Sequence, residues 1–190
     1  FNDLFDFCAR VDLKRINKRV MEALIRSGAL DRLGPFFAEE LQAYQKQVDR
    51  NRAALMAAME EAIASAEQTA RSADSGHDDL FGDLLGPSAE RDVYEPYRKV
   101  REWTFKERLR GEKETLGLYL TGHPIDEYER ELKRFVSTRI SDLKPSRDPQ
   151  RVAGLVVGVR TMKSKRGDTM AFITLDDRTG RIEASLFGEL

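Results

Sequence analysis

Residues 152–187 read VAGLVVGVRTMKSKRGDTMAFITLDDRTGRIEASLF, and here the apolar period is two. Residues 152–162, 169–175 and 181–187 read as three strands. Lys165-Arg166-Gly167-Asp168 and Asp176-Asp177-Arg178-Thr179-Gly180 are the turns between them. Three consecutive antiparallel strands suit the opening meander of an OB-type barrel, although other small barrels begin the same way.

Upstream of residue 144 the period lengthens to that of a helix. Phe1, Leu4, Phe5 and Cys8 fall on one face. Asn17 can cap a helix through Lys18, Arg19, Val20, Met21, Leu24 and Ile25, and Gly28 stops it. A short apolar turn at 29–33 closes on Gly34-Pro35. From residue 36 to about 71 good helix formers dominate. Leu41, Tyr44, Val48, Leu55, Met59 and Ile63 make a broken stripe there, consistent with one long helix or two shorter ones. Thr104-Phe105-Lys106-Glu107 is a capping box. The helix it opens is expected to reach about residue 120 and end at Gly122, with Pro124 beyond. Another is expected over 126–135, with Tyr128, Leu132 and Phe135 on one side.

The expected class is therefore α+β: helices first, then three antiparallel strands of an incomplete barrel. Four regions follow: a helical region at 1–71, an acidic linker at 72–95, a second helical region at 96–143 and the strands at 150–190. The 190-residue chain has a net charge of −1, so as a whole it is no generic nucleic-acid magnet. Its single cysteine, Cys8, excludes an internal disulfide and a cysteine-based zinc site. No apolar run suits a membrane span and no signal peptide is evident, so the expectation is a cytoplasmic protein without membrane partners. Both ends read as cut: residue 1 is Phe, and Leu190 follows a strand with no closing element.

Three stretches in this order carry a family likeness. Phe1-Asn2-Asp3-Leu4-Phe5-Asp6-Phe7-Cys8, followed by Asn17-Lys18-Arg19-Val20 and Leu24-Ile25-Arg26-Ser27-Gly28-Ala29-Leu30-Asp31, resembles the tandem helix-hairpin-helix region of bacterial replicative (C-family) DNA polymerase alpha subunits. Glu112-Lys113-Glu114-Thr115-Leu116-Gly117-Leu118-Tyr119-Leu120-Thr121-Gly122-His123-Pro124 resembles that family's most recognisable block in this region. Phe172-Ile173-Thr174-Leu175-Asp176-Asp177-Arg178-Thr179-Gly180-Arg181-Ile182-Glu183 resembles the start of its OB domain. The resemblance implies a parent enzyme that extends DNA from a primer using magnesium held by palm carboxylates. That palm lies outside this chain, so no cofactor and no catalytic residue are expected here. It also implies a first hairpin upstream of Phe1 and closing barrel strands beyond Leu190. The implied partners are the sliding clamp, template-primer and single-stranded DNA, and other holoenzyme subunits. The nearest alternatives are the related error-prone polymerases and a non-enzymatic adaptor with an OB domain.

Three candidate sites emerge. In the acidic linker, Asp74, Asp78, Asp79, Asp83, Glu90, Asp92 and Glu95 face only Arg91, yet Leu80, Phe81, Leu84 and Leu85 sit among them. Such a stretch cannot fold alone, and apolar residues within it mark a docking peptide. The resemblance makes His77-Asp78-Asp79-Leu80-Phe81 the clamp-binding motif, with His77 where the family has Gln. The alternative is that Leu80 and Phe81 pack on neighbouring helices. The second site is Arg10, Lys14, Arg15, Lys18 and Arg19, opposed only by Asp12, suited to duplex phosphates or simply a solvated face. The third is Arg160, Lys163, Lys165 and Arg166, within a run from Lys144 to Gly167 that holds seven basic residues and one acid, Asp148. OB folds often hold nucleic acid at such a hairpin, and Phe172 offers either a stacking ring or a core side chain. No catalytic triad or metal-ligand spacing is present. Asp176 and Asp177 read as turn residues and His123 as a helix-end residue.

Overall fold

Leu55, Ala58, Met59, Ala62 and Ala66 recur at helical spacing along Val48–Asp74, and all are buried. The three alanines let a long helix approach its neighbours closely, while Leu55 and Met59 fill the space between. In the computed structural model, which describes residues 1–74, 92–163 and 167–187, this helix is α4. The chain forms two compact units, Phe1–Leu120 and Thr121–Leu190.

In the first unit, α1 (Leu4–Arg10) and α2 (Lys18–Ser27) lie against α4, contributing Leu4, Cys8, Met21 and Ile25 to the core. The ends of α2 are capped as the sequence predicts, and Asp3 caps α1. Asn17 Oδ1 accepts from Val20 N at 3.1 Å, and Gly28 closes α2 in the left-handed conformation at φ 84°. A 3-10 turn at Asp31–Leu33 follows, then the short α3 (Leu41–Gln45). The expected 36–71 helix is thus two helices. The expected stripe is buried at Val48, Leu55 and Met59, whereas Leu41 is exposed.

The helix α5 (Phe105–Leu116) begins with the Thr104–Glu107 capping box. It ends four residues earlier than expected. Gly117 takes φ 76°, its N–H bonds Lys113 O at 3.1 Å, and Lys113 Nζ donates to Gly117 O at 2.7 Å. Leu120 N then donates to the Glu112 carboxylate at 2.8 Å, which folds the chain back on the helix.

One charged group ties these elements together. The Arg52 side chain, 1% exposed on α4, donates through Nε and Nη2 to Asp31 and through Nη1 to Glu112 Oε1, each at 2.9 Å. Glu112, 0% exposed, is on α5, and Asp31 follows the turn after α2. Beside Arg52, the buried Asn51 donates to Asp31 O at 2.8 Å and accepts from Phe36 N at 2.9 Å. Gly28 is required where it stands: a Cβ there would lie 2.2 Å from Arg52 Nη2, besides occupying a positive φ.

Tyr94 closes the other side of the core. Its hydroxyl accepts from Leu4 N at 2.9 Å and donates to Leu33 O at 2.6 Å. It sits near the end of the stretch that reads as acidic linker, and it is buried.

The second unit begins with a 3-10 helix (Pro124–Tyr128) and the four-residue α6 (Glu129–Leu132), where one helix over 126–135 is expected. Tyr128 and Phe135 are exposed, so the expected face buries too little to hold a continuous helix. The strands β1 (Leu155–Lys163), β2 (Thr169–Asp176) and β3 (Arg181–Phe187) form an open antiparallel sheet in the order β1-β2-β3. Residues 152–154 stay outside β1, and the register shifts between Val156 and Gly158. This is the architecture of an incomplete OB-type barrel in an α+β chain. Val156, Val159 and Leu186 remain exposed along the sheet.

Tyr94→Phe leaves Leu4 N and Leu33 O without their partner in the core. It is expected to cost roughly 1–3 kcal/mol, read by urea unfolding through Trp103, the only tryptophan. Removing the exposed Lys18–Glu60 bridge by Lys18→Ala is expected to leave the urea midpoint nearly unchanged, because solvent screens such surface pairs.

Candidate nucleic-acid interface

The α1–α2 connection places its cations at the surface of the first unit. Arg10 is 3.4 Å from Asp6 and lies over the Phe1 ring at 4.8 Å. Arg15 is 3.4 Å from Asp12, and Lys18 pairs with Glu60 on α4. Lys14 and Arg19 are exposed, and no ion pair engages them among the described residues. The sequence reads one basic run; the structure divides it into three exposed, weakly paired cations and two unneutralised ones.

On the sheet, Arg160 and Phe172 face one another across β1 and β2 in register, with Ser185 opposite on β3. The guanidinium lies 4.5 Å from the Phe172 centroid and 3.5 Å from Glu183. Phe172 is half-buried and Lys163 is exposed at the end of β1. Lys165 and Arg166 lie outside the described residues, as do His77, Asp78, Asp79, Leu80 and Phe81.

The β2–β3 turn organises the rest of the second unit. Asp177 Oδ2 accepts from Ile140 N at 2.8 Å, while its Oδ1 accepts from Thr179 N at 2.9 Å and Gly180 N at 3.0 Å. Arg178 takes φ 74°, and its guanidinium reaches both Asp126 oxygens at 3.2 Å. Asp176 accepts from Arg181 Nε at 2.7 Å and lies 3.3 Å from His123 Nε2. His123 also caps the Pro124–Tyr128 helix. The turn and helix-end roles expected of Asp176, Asp177 and His123 are therefore present, but joined into one network that their sequence separation hides. A cleft of about 590 Å³ opens beside it, lined by Asp126, Glu129, Arg139 and Arg178 among others. Its arginines are matched by Glu129 at 3.6 Å and Asp126, so it offers a phosphate no net attraction.

No group of His, Cys, Asp or Glu among the described residues could hold a metal ion. The magnesium implied by the resemblance, expected on palm carboxylates outside this chain, therefore does not fit these residues. No helix among them is long and apolar enough to cross a membrane.

The family model for the helix-hairpin-helix motif matches residues 1–36, which hold α1, α2 and the 3-10 turn carrying Asp31. Over its whole length the chain is 70% identical to the DNA polymerase III subunit alpha of Pseudomonas aeruginosa and 69% identical to that of Pseudomonas fluorescens. Over its whole length the chain is thus similar to part of DNA polymerase III alpha subunits. Across 98% of its length it is 43% identical to the Escherichia coli K12 alpha subunit. It spans 16% of the length of the two Pseudomonas alpha subunits and 15% of the Escherichia coli one.

Asp176 and Asp177 both titrate below the ordinary value of 3.8. Burial opposes ionisation in each. It is outweighed at Asp176 by Arg181, Arg178 N–H and His123, and at Asp177 by the Ile140, Thr179 and Gly180 N–H groups and the Thr179 hydroxyl. A lowered carboxylate stabilises the fold fully above its unfolded value and loses that effect as pH falls through the folded one. Amide protection at residues 140–142 and 177–180 is expected to hold steady from about pH 7 to about pH 5. It should decline below 3.8. Protection that persists unchanged through acid titration contradicts this account of the turn.

Proposed function

We propose that this chain is a DNA-positioning and clamp-docking segment of a bacterial replicative DNA polymerase alpha subunit. The parent is a DNA-directed DNA polymerase acting in the cytoplasm during chromosome replication, with its catalytic carboxylates and magnesium elsewhere. The observation that carries this reading is 69–70% identity, across the whole chain, to proteins named as that subunit. Template-primer meets the exposed cations of the α1–α2 connection, chiefly Lys14 and Arg19, with Arg10, Arg15 and Lys18 free to exchange their exposed carboxylates for phosphates. Single-stranded DNA meets the hairpin bearing Arg160, Lys163, Lys165 and Arg166. In this arrangement the attraction is sequence-independent, as a polymerase requires.

The sliding clamp is the partner of His77-Asp78-Asp79-Leu80-Phe81. Chain on both sides of this motif is anchored in one core, through Ala66 on α4 and through Tyr94. Docking by a short peptide held in this way gains from effective concentration rather than from intrinsic affinity. Leu80 and Phe81 supply roughly 1.5–3 kcal/mol each before ordering costs. His77 donates one hydrogen bond where Gln donates two.

Calorimetric titration of a peptide spanning residues 74–86 into the sliding clamp tests the docking. Micromolar binding is expected. Leu80→Ala/Phe81→Ala should remove roughly 2 kcal/mol or more, and His77→Gln should tighten binding. Equal, negligible heats from all three peptides would make Leu80 and Phe81 packing residues instead.

A further inference from the structure

Three guanidiniums gather over two neighbouring phenylalanines in the first unit. Arg50 lies 4.1 Å and Arg98 5.4 Å from the centroid of Phe36, and Arg32 lies 5.5 Å from that of Phe37. The rings are held in place. Phe36 N donates to the buried Asn51, and Phe37 packs against Tyr44 at 5.3 Å. Asn51 in turn donates to Asp31 O, so the platform shares Asp31 with the Arg52 network.

The three cations are not equivalent. Arg98 is paired with Asp92. Arg50 donates to a backbone carbonyl, Arg98 O at 3.1 Å, and Arg32 is exposed. Among the described residues, no carboxylate pairs with either of these two. A guanidinium stacked on a ring is already ordered and weakly hydrated, and the N–H groups of Arg32, with those of Arg50 not given to Arg98 O, match the oxygens of a phosphate. With two guanidiniums over it, Phe36 is not offered to a base, so the surface suits a backbone rather than a sequence.

We propose that Arg32 and Arg50 form a second phosphate-binding cluster for a nucleic-acid backbone, separate from the run between Arg10 and Arg19. It rests on the reading of this chain as a DNA-handling segment. The two cations come from positions 18 residues apart, one beside the α2 turn and one on α4, and their chain neighbours Asp31 and Asn51 are joined by a hydrogen bond of 2.8 Å.

The test is salt-dependent binding of the full-length protein to a primed duplex and to a single-stranded oligonucleotide. Wild type is compared with Arg32→Gln, Arg32→Gln/Arg50→Gln and Lys14→Gln/Arg19→Gln. Each lost phosphate contact lowers the slope of log K against log salt by about 0.9 on duplex or about 0.7 on a single strand. Arg32→Gln is expected to lower it by one such step and the double variant by two, and the substrate showing the loss identifies the strand form. Arg32 is exposed, so its variant with an unchanged melting temperature decides the matter even if the Arg50 substitution disturbs Phe36. If Lys14→Gln/Arg19→Gln lowers the slope but Arg32→Gln leaves it unchanged on both substrates, this cluster is overturned alone. If no variant changes the slope, the DNA reading falls with it.

Discussion

A buried arginine between two carboxylates sets the terms for the first unit. Taking three charges out of water costs several kcal/mol per ion, and that cost is recovered only when every partner stands at bonding distance. Arg52 therefore accepts few arrangements of its surroundings. The α2 turn must bring Asp31 to α4, α5 must bring Glu112, and Gly28 must leave room for the guanidinium. The second oxygen of Glu112 then directs the chain after α5 through Leu120 N. One side chain thus fixes the position of the hairpin, the long helix and the segment that leaves α5. Such a network specifies geometry more than it adds net stability, because apolar replacements of similar volume often fold as well.

The same geometry sets the surface electrostatics. A chain with a net charge of −1 meets DNA only if its cations are segregated from its acids. The first unit does this by using acids inside: Asp31 and Glu112 are consumed by Arg52, and Asp49 is 3.5 Å from the buried Arg108. Outside, Lys14, Arg19, Arg32 and Arg50 are left without carboxylate partners among the described residues. In the second unit the balance is reversed. Arg178 and Arg181 are spent on Asp126 and Asp176 to hold the turn and Arg139 on Glu129, while Lys163 is exposed at the end of β1.

Local features were the most legible in the sequence. Asn17, Gly28 and the Thr104–Glu107 box act within four residues of themselves, so their roles follow from local chemistry, and β3 spans the expected residues. What the sequence hid depends on long-range contacts. Arg52 reads as one more polar residue on a helix, and nothing near it announces that Asp31 and Glu112 will meet it. Tyr94 lies in an acidic stretch whose composition argues for a linker, yet its hydroxyl holds Leu4 and Leu33. Gly117 and Gly122 are equally good helix stops by local chemistry, and Lys113 and Glu112 decide for the first. Arg32 and Arg50 do not read as a basic run, because they lie 18 positions apart on separate elements.

The central claim is that Arg52 and Glu112 act as one unit in holding α4, α5 and the hairpin together. A double-mutant cycle with Arg52→Met and Glu112→Met, followed by urea unfolding through Trp103, tests it most directly. Each single change is expected to cost about 3–5 kcal/mol, since it strands a buried charge. The double change should cost less than their sum by about 1–3 kcal/mol. Losses that add to within about 0.5 kcal/mol would contradict the account, because they would mean that the two side chains support the fold independently.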